Sequence, residues 1–204
     1  MIFVKFPEPG KVKTRLAKSL GKEGAAEAYR RMVAKVAENV VPATGEELRW
    51  DIWVVFDPAD REHDVREWLE PLFDSKPTKF LPQVSGGLGE RLEAAFAAGF
   101  EAGFGKVAAI GTDCVDLDRA GVAECWQKLD SSDVVFGPAD DGGYYLVGLK
   151  SACPKLFQQI PWSDERTLEV SKEVAAKLDL RVGELPVLSD VDEIEQWRAV
   201  ESGL

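Results

Sequence analysis

Five cations crowd the first eighteen residues of this chain: Lys5, Lys11, Lys13, Arg15 and Lys18. They fall in and around Phe6-Pro7-Glu8-Pro9-Gly10-Lys11-Val12-Lys13-Thr14-Arg15-Leu16, between an apolar run and a stretch of helical period. An anion-binding loop needs a flexible glycine, backbone N–H groups at a helix start and cations within reach, and this segment has all three. Cations at a helix N-terminus oppose the macrodipole at about 0.3–1 kcal/mol each, a penalty that a bound polyphosphate reverses. The plainer alternative is a solvated, lysine-rich loop. It is not a Walker A motif, because Gly10-Lys11 is followed by Val12 and position 5 is lysine; nor is it a dinucleotide fingerprint, because G-x-G-x-x-G is absent.

Carboxylates supply the second half of the chemistry. Asp113 follows Val107-Ala108-Ala109-Ile110-Gly111, the most uniformly apolar run in the chain, with only Thr112 between, and open α/β sheets bind ligands beyond the carboxyl ends of their strands. Asp116 or Asp118 is better placed to cap the helix that follows, which leaves Asp113 spare. A carboxylate beside a phosphate is repulsive unless a hard divalent cation bridges the two. Asp190-Val191-Asp192 could supply a second metal ligand from either aspartate. Asp192 with Glu195 ahead of Ile194 and Trp197 equally reads as a capping-box-like helix start.

Two glycine-rich segments could shape the same site. In Asp140-Asp141-Gly142-Gly143-Tyr144-Tyr145 the glycines allow either a simple turn or a close backbone approach to a ligand, with tyrosines to stack or donate hydrogen bonds. In Ser85-Gly86-Gly87-Leu88-Gly89-Glu90-Arg91 the backbone could read a base or a sugar, or merely begin a helix. Other chemistries are weakened by absence. His63 is the only histidine and sits in an exposed-looking stretch, so a Ser-His-Asp triad, a Cys-His pair or a histidine zinc site would rest on it alone. Cys114, Cys125 and Cys153 are odd in number, lack C-x-x-C spacing and read as small core residues in a reducing compartment.

These residues must be positioned by alternating elements. Short apolar runs at residues 2–6, 51–56, 78–81, 107–111, 134–136, 144–149 and 181–185 read as strands. Between them, Ala25, Tyr29, Met32, Val33, Val36 and Val40 keep a helical stripe, as do Leu88, Leu92, Ala95, Phe96 and Phe100. The order predicts a three-layer α/β/α domain with a mainly parallel twisted sheet, spanning residues 1–204 as one unit. The longest turn-rich segment is 42–49. The loop 137–143 between two strand runs is longer than a two-residue hairpin requires. With 25 Lys+Arg against 36 Asp+Glu, a net charge of −11 argues against coating nucleic acid. No secretory h-region and no apolar run of membrane-spanning length is found, so a cytoplasmic protein without a membrane partner is expected.

Taken in order, Phe3-Val-Lys5-x-Pro7-x-Pro9-Gly10-x-Val-Lys13-Thr14-Arg15-Leu16, Gly86-x-Leu-Gly89-x-Arg91, Gly111-x-Asp113, Gly137-Pro-Ala-x-Asp141-Gly-Gly-Tyr-Tyr and Asp190-Val-Asp192 carry a family resemblance. The chain resembles the small glycosyltransferase-A-like (GT-A-like) proteins of the nucleotide-diphospho-sugar transferase superfamily, related to the 2-phospholactate and molybdenum-cofactor guanylyltransferases. That resemblance implies a transferase moving a nucleotidyl or glycosyl group from a nucleotide or nucleotide-sugar donor to a small-molecule acceptor. It implies Lys5, Pro9, Gly10, Lys13, Arg15, Gly86, Gly87, Gly89 and Arg91 around the nucleotide, and Asp141, Gly142, Gly143 and Tyr144 around the acceptor. Asp113 and Asp192, with Asp190 as the alternative, would hold Mg²⁺ or Mn²⁺; Lys13, Arg15 and Asp113 would act in catalysis. Two departures stand out: Val115 where relatives carry proline, and Glu193-Ile194 where they carry Thr-Pro. A non-catalytic nucleotide-binding regulator is the rival from a different class.

Overall fold

Successive side chains along the buried central strands join two apolar clusters in turn, one on each side of a sheet. In the computed structural model, which describes residues 1–41, 50–73 and 78–204, every predicted strand forms. They are β1 (Ile2–Lys5), β2 (Ile52–Asp57), β3 (Thr78–Pro82), β4 (Val107–Ile110), β5 (Val134–Pro138), β6 (Tyr144–Leu149) and β7 (Val182–Glu184). The helices are α1 (Ala17–Val40), α2 (Glu62–Leu69), α3 (Leu88–Glu101), α4 (Arg119–Ser131), α5 (Thr167–Lys177) and α6 (Ile194–Val200). The turn-rich segment 42–49 lies outside the described residues.

Strand order across the sheet is β3-β2-β1-β4-β6-β5-β7, and among the described residues only β6 runs antiparallel to its neighbours. Its direction follows from chain length: residues 139–143 can close a hairpin, whereas a parallel crossover takes roughly a dozen residues or more. The chain builds outward from β1 to β2 and β3, then returns to lay β4 on the other flank of β1. The carboxyl ends of β1 and β4 therefore sit side by side at the point where the winding reverses, where such sheets open a ligand crevice.

Along β4, Ala108 and Ile110 join one apolar cluster while Val107 and Ala109 join the other. The first cluster takes in α1, α2, α4 and α6; the second takes in α3, α5 and Leu156 and Phe157. The whole α1 stripe from Ala25 to Val40 is buried, each large side chain contributing about 1.5–3 kcal/mol. Leu88 departs from its predicted stripe and is 43% exposed, because it is the first residue of α3 and precedes the turn that reaches the sheet. Among the described residues no helix is long and apolar enough to cross a membrane.

One ionic staple fixes the distal edge. The Asp133 carboxylate accepts from Arg181 Nε and the Arg181 backbone N–H, both at 2.9 Å, and lies 2.8 Å from Lys150 Nζ, tying together the ends of β5, β6 and β7. The Arg181 guanidinium, then Lys150 and the Arg181 backbone N–H, hold this carboxyl well below the usual carboxylate range. A lowered folded-state pKa stabilises the fold above the unfolded value of about 4 and loses that contribution as pH falls below it. Asp133→Asn should therefore lower stability by about 1 kcal/mol at pH 7, a Tm fall of about 2–4 °C. In melts at successive pH values the gap between variant and parent should narrow steadily below pH 4.

Candidate functional site

Loops leaving the carboxyl ends of β1, β4 and β7 each bring one charged side chain to the same place. Lys13 Nζ lies 2.8 Å from Asp113 Oδ1 and 2.7 Å from Asp192 Oδ1, with only 5% of the lysine side chain exposed. Arg15 Nη1 stands 3.8 Å from Asp192 Oδ2 and is 67% exposed. Burial opposes the Lys13 ammonium, but Asp113 and Asp192 outweigh it and raise its pKa, so the lysine is charged. Its φ of 45° is left-handed, a conformation a non-glycine residue rarely adopts, and the Ala17 N–H donates to its carbonyl at 2.9 Å. The two carboxylate loops are joined through backbone, the Val191 N–H donating to the Asp113 carbonyl at 3.0 Å.

Local capping explains why both aspartates are available. Asp118 Oδ1 accepts from the Gly121 N–H at 2.9 Å and caps α4, which leaves Asp113 uncommitted as its spacing predicts. The expected Asp192/Glu195 cap does not form. Glu193 is the N-cap of α6, and Gln196 Oε1 accepts from the N–H groups of Asp192 and Glu193 at 2.9 and 2.8 Å. With its backbone satisfied from behind, the Asp192 carboxylate turns to Lys13. Asp190 goes elsewhere: it is buried and hydrogen-bonded to Asp140, and burial, followed by Asp192 and Asp141, pushes its carboxyl up to about 6. Asp140 is held below the usual range, first by the Ser189 hydroxyl.

Sequence reasoning placed Tyr29 only in a core stripe, yet its hydroxyl is a tie between the two strands of the site. It accepts from the Lys5 N–H at 2.9 Å and from Thr112 Oγ1 at 3.3 Å, joining the end of β1 to the residue before Asp113. Burial pushes this phenol up to about 12, so it stays protonated. A tyrosine in an otherwise aliphatic stripe was the available signal, since a buried hydroxyl seeks a partner.

The residues expected around the nucleotide divide between open loop and brace. Lys5 and Pro9 are exposed, Gly10 is left-handed at φ 83°, and Gly86 and Gly87 are exposed at the start of α3. The Gly87 N–H is capped by Glu90 Oε2 at 2.8 Å. Gly89 is packed so closely that an added Cβ would lie 2.5 Å from the Phe157 carbonyl oxygen. Arg91 braces this loop, donating to Gly86 O and to Gln83 Oε1 at 3.0 Å each and lying 3.3 Å from Asp57 Oδ2. Gln83 in turn donates to Val55 O at 2.9 Å. These cross-strand partners carry no signal in local sequence.

Among the residues expected around the acceptor, the extra length of the β5–β6 connection has a structural use. Asp140 N–H donates to Leu188 O at 3.1 Å, and Leu168 N–H donates to Gly142 O at 2.9 Å, docking the loop on both flanks. Asp141 is exposed, its Oδ1 accepting from the Gly143 N–H at 2.8 Å. Tyr144 packs against Phe136 and Trp162, with ring centroids 5.1 and 6.1 Å away. His63 is exposed on α2; all three cysteines are free thiols, and burial pushes Cys125 up to about 12, far from a neutral-pH nucleophile.

The donor set suits a hard divalent cation. Two carboxylate oxygens meet on one ammonium, which shows that this point accepts positive charge. Among the described residues no three His, Cys, Asp or Glu side chains form a ligand cluster. Mg²⁺ fits such a sparse set, since it is commonly held by one or two carboxylates with water and substrate phosphates completing an octahedron. A cavity of about 720 Å³ opens elsewhere, at the amino ends of β1, β2 and β4 between Trp50, Trp53, Phe104 and Trp126, the edge opposite Asp113.

Comparison with known proteins agrees with this architecture. Residues 40–164 match the family described as an uncharacterized protein conserved in bacteria (DUF2064). A proposed nucleotide-diphospho-sugar transferase from Desulfovibrio desulfuricans G20 is 34% identical, with a TM-score of 0.83 over 94% of this chain and 80% of that one. CMP:2-keto-3-deoxy-manno-octonic acid synthetase, complexed with CTP, shares the fold at 13% identity and a TM-score of 0.57, covering 99% of this chain and 97% of that one. Rv0371c of Mycobacterium tuberculosis H37Rv, in complex with manganese, does so at 10% identity and a TM-score of 0.53, covering 100% and 97%. No curated protein matches the chain. The fold is that of the nucleotide-diphospho-sugar transferases.

The paired glycines of the β5–β6 loop differ in kind. Gly142 has φ 87°, and an added Cβ would overlap the Glu165 carbonyl oxygen; at Gly143 an added Cβ meets only the movable Asp141 carboxylate, at 3.0 Å. Gly142→Ala should lower Tm by at least about 5 °C, and Gly143→Ala by less than about 2 °C. Equal melting of the two variants would refute this division.

Proposed function

The chain belongs to the bacterial DUF2064 family, and on that premise we propose that it is a Mg²⁺-dependent transferase using a nucleotide donor. It moves a nucleotidyl group from a nucleoside triphosphate to a small-molecule acceptor. The observation that carries this reading is the meeting of Lys13, Asp113 and Asp192 beyond the winding reversal between β1 and β4. Held by Asp113 and Asp192, Mg²⁺ (or Mn²⁺) would neutralise charge on the donor phosphates.

The remaining work falls to side chains and backbone. Exposed Arg15, together with Lys13, supplies positive charge along a leaving pyrophosphate, which needs several cations. Gly86 and Gly87, braced from behind by Arg91, offer exposed backbone to the base or sugar. Asp141, Gly142, Gly143 and Tyr144 border the acceptor, whose attacking oxygen lines up with the α-phosphorus as the pyrophosphate departs. Rate then comes from alignment and charge neutralisation rather than from a dedicated general base. Glycosyl transfer from a nucleotide-diphospho-sugar is the second reading, favoured by the description of the Desulfovibrio neighbour.

A melting and calorimetry panel of the four nucleoside triphosphates and common nucleotide-diphospho-sugars, each with Mg²⁺ or EDTA, tests the proposal. A ligand at 100 times its Kd adds about 2.7 kcal/mol. Metal-dependent stabilisation by one triphosphate is expected, whereas preference for a sugar nucleotide would select the second reading. Asp113→Asn should keep the parent Tm within a few degrees and reduce pyrophosphate release at least about 100-fold. Full turnover in that variant would sink the metal assignment.

A further inference from the structure

If Asp113 and Asp192 are the metal ligands of the proposed reaction, the position between them is already taken by a cation that belongs to the chain. We infer that Lys13 is an internal placeholder for the divalent ion, so that the nucleotide-free protein excludes the metal and admits it together with the nucleotide. This rests on the assignment of the two carboxylates made above.

The ammonium lies 2.8 and 2.7 Å from one oxygen of each carboxylate, and its side chain is 5% exposed. A metal cannot share those two oxygens with an ammonium at that distance without placing like charges in contact. An ion seated between those same two oxygens must therefore push Lys13 off both partners. The backbone around Lys13 is anchored, with a left-handed φ of 45° and its carbonyl accepting from the Ala17 N–H, so the side chain alone must swing. Its own loop is already rich in cations: Arg15 and Lys11 stand exposed there, and Lys11 already pairs with Glu8 at 3.0 Å. Without a further anion, the displaced charge loses both carboxylates and must compete with these cations for Glu8.

Donor phosphates change that balance. They offer the ammonium a new counter-charge at the moment they bring their own oxygens to complete the metal's shell. Nucleotide and metal then favour each other's binding, and the coupling is reciprocal, each raising the other's affinity by the same factor. Lys13 would thus serve twice, on the carboxylates before binding and on the phosphates after it.

Mn²⁺ binding to the whole chain, followed by the loss of the free-ion EPR signal with no nucleotide present, tests this directly. The parent should bind Mn²⁺ alone weakly, Lys13→Met at least tenfold more tightly, and Lys13→Arg like the parent. Adding Asp113→Asn to Lys13→Met should abolish the gain. Should Lys13→Met prove too unstable to titrate, its Tm with and without millimolar Mn²⁺ decides: a larger rise than in the parent supports the placeholder. No gain in affinity, or no larger rise in Tm, overturns it. The two proposals fail separately. A parent that takes up Mn²⁺ with a triphosphate through Asp113 and Asp192, beside a Lys13→Met that gains nothing, removes only the placeholder. A Lys13→Met that gains Mn²⁺, in a protein whose parent binds no metal with any nucleotide, removes the transferase reading and the coupled entry with it, and leaves only the occlusion of the two carboxylates by Lys13.

Discussion

A nearly buried ammonium held between two carboxylates is the contact on which the functional edge of this protein depends. Lys13, Asp113 and Asp192 come from loops far apart in sequence, and charge taken out of water is tolerated only when paired and hydrogen-bonded. That requirement pulls the loops after β1, β4 and β7 onto one another. The Val191-to-Asp113 backbone bond and the Tyr29 hydroxyl, linking Lys5 to Thr112, then fix the spacing neutrally from behind. Charge chooses the meeting point and uncharged hydrogen bonds keep it.

Around that centre the two flanks are secured by different means. On the side of the Gly86-Gly87 loop, Arg91 donates to Gly86 and Gln83 and pairs with Asp57, so this cation also supports the loop. On the opposite flank, Gly142 lets the β5–β6 loop lie against the backbone at Glu165, a contact any side chain would block. In both places the glycine-rich motif is explained first by protein packing. The exposed backbone it leaves is what a ligand would meet.

Much of this was legible in the sequence. The strand runs were readable because buried strands leave uninterrupted apolar segments, as at Val107-Ala108-Ala109-Ile110, and the helical stripe from Ala25 to Val40 because a 3.6-residue period survives any context. Asp113 could be singled out because Asp118 was the better cap. Asp192 was ambiguous: its rival role depended on which residue closed the first turn of α6, and Gln196 rather than Glu195 does so. What stayed hidden was long-range. Nothing local to Gln83 or Asp140 announces a partner in another strand or loop, and Tyr29 announces only that its hydroxyl needs one, because such pairs exist only once the sheet has brought them together.

The break in α1 bears on how the site can hold an anion at all. Gly21, with φ 74° and ψ 170°, separates a single turn at residues 17–20 from the long helix that begins at Lys22. The aligned peptide dipoles of that long helix therefore start at Lys22, whose side chain lies beside Gly10, and not at the residues that directly follow Lys13. An anionic ligand at the loop would also be attracted by side chains on flexible stems, Lys11 and Arg15 among them. Such charge is open to solvent and is screened over about 8–10 Å at moderate ionic strength. Occupancy of the loop is thus tied to the salt content of its surroundings, much more closely than in a cradle built from fixed backbone amides.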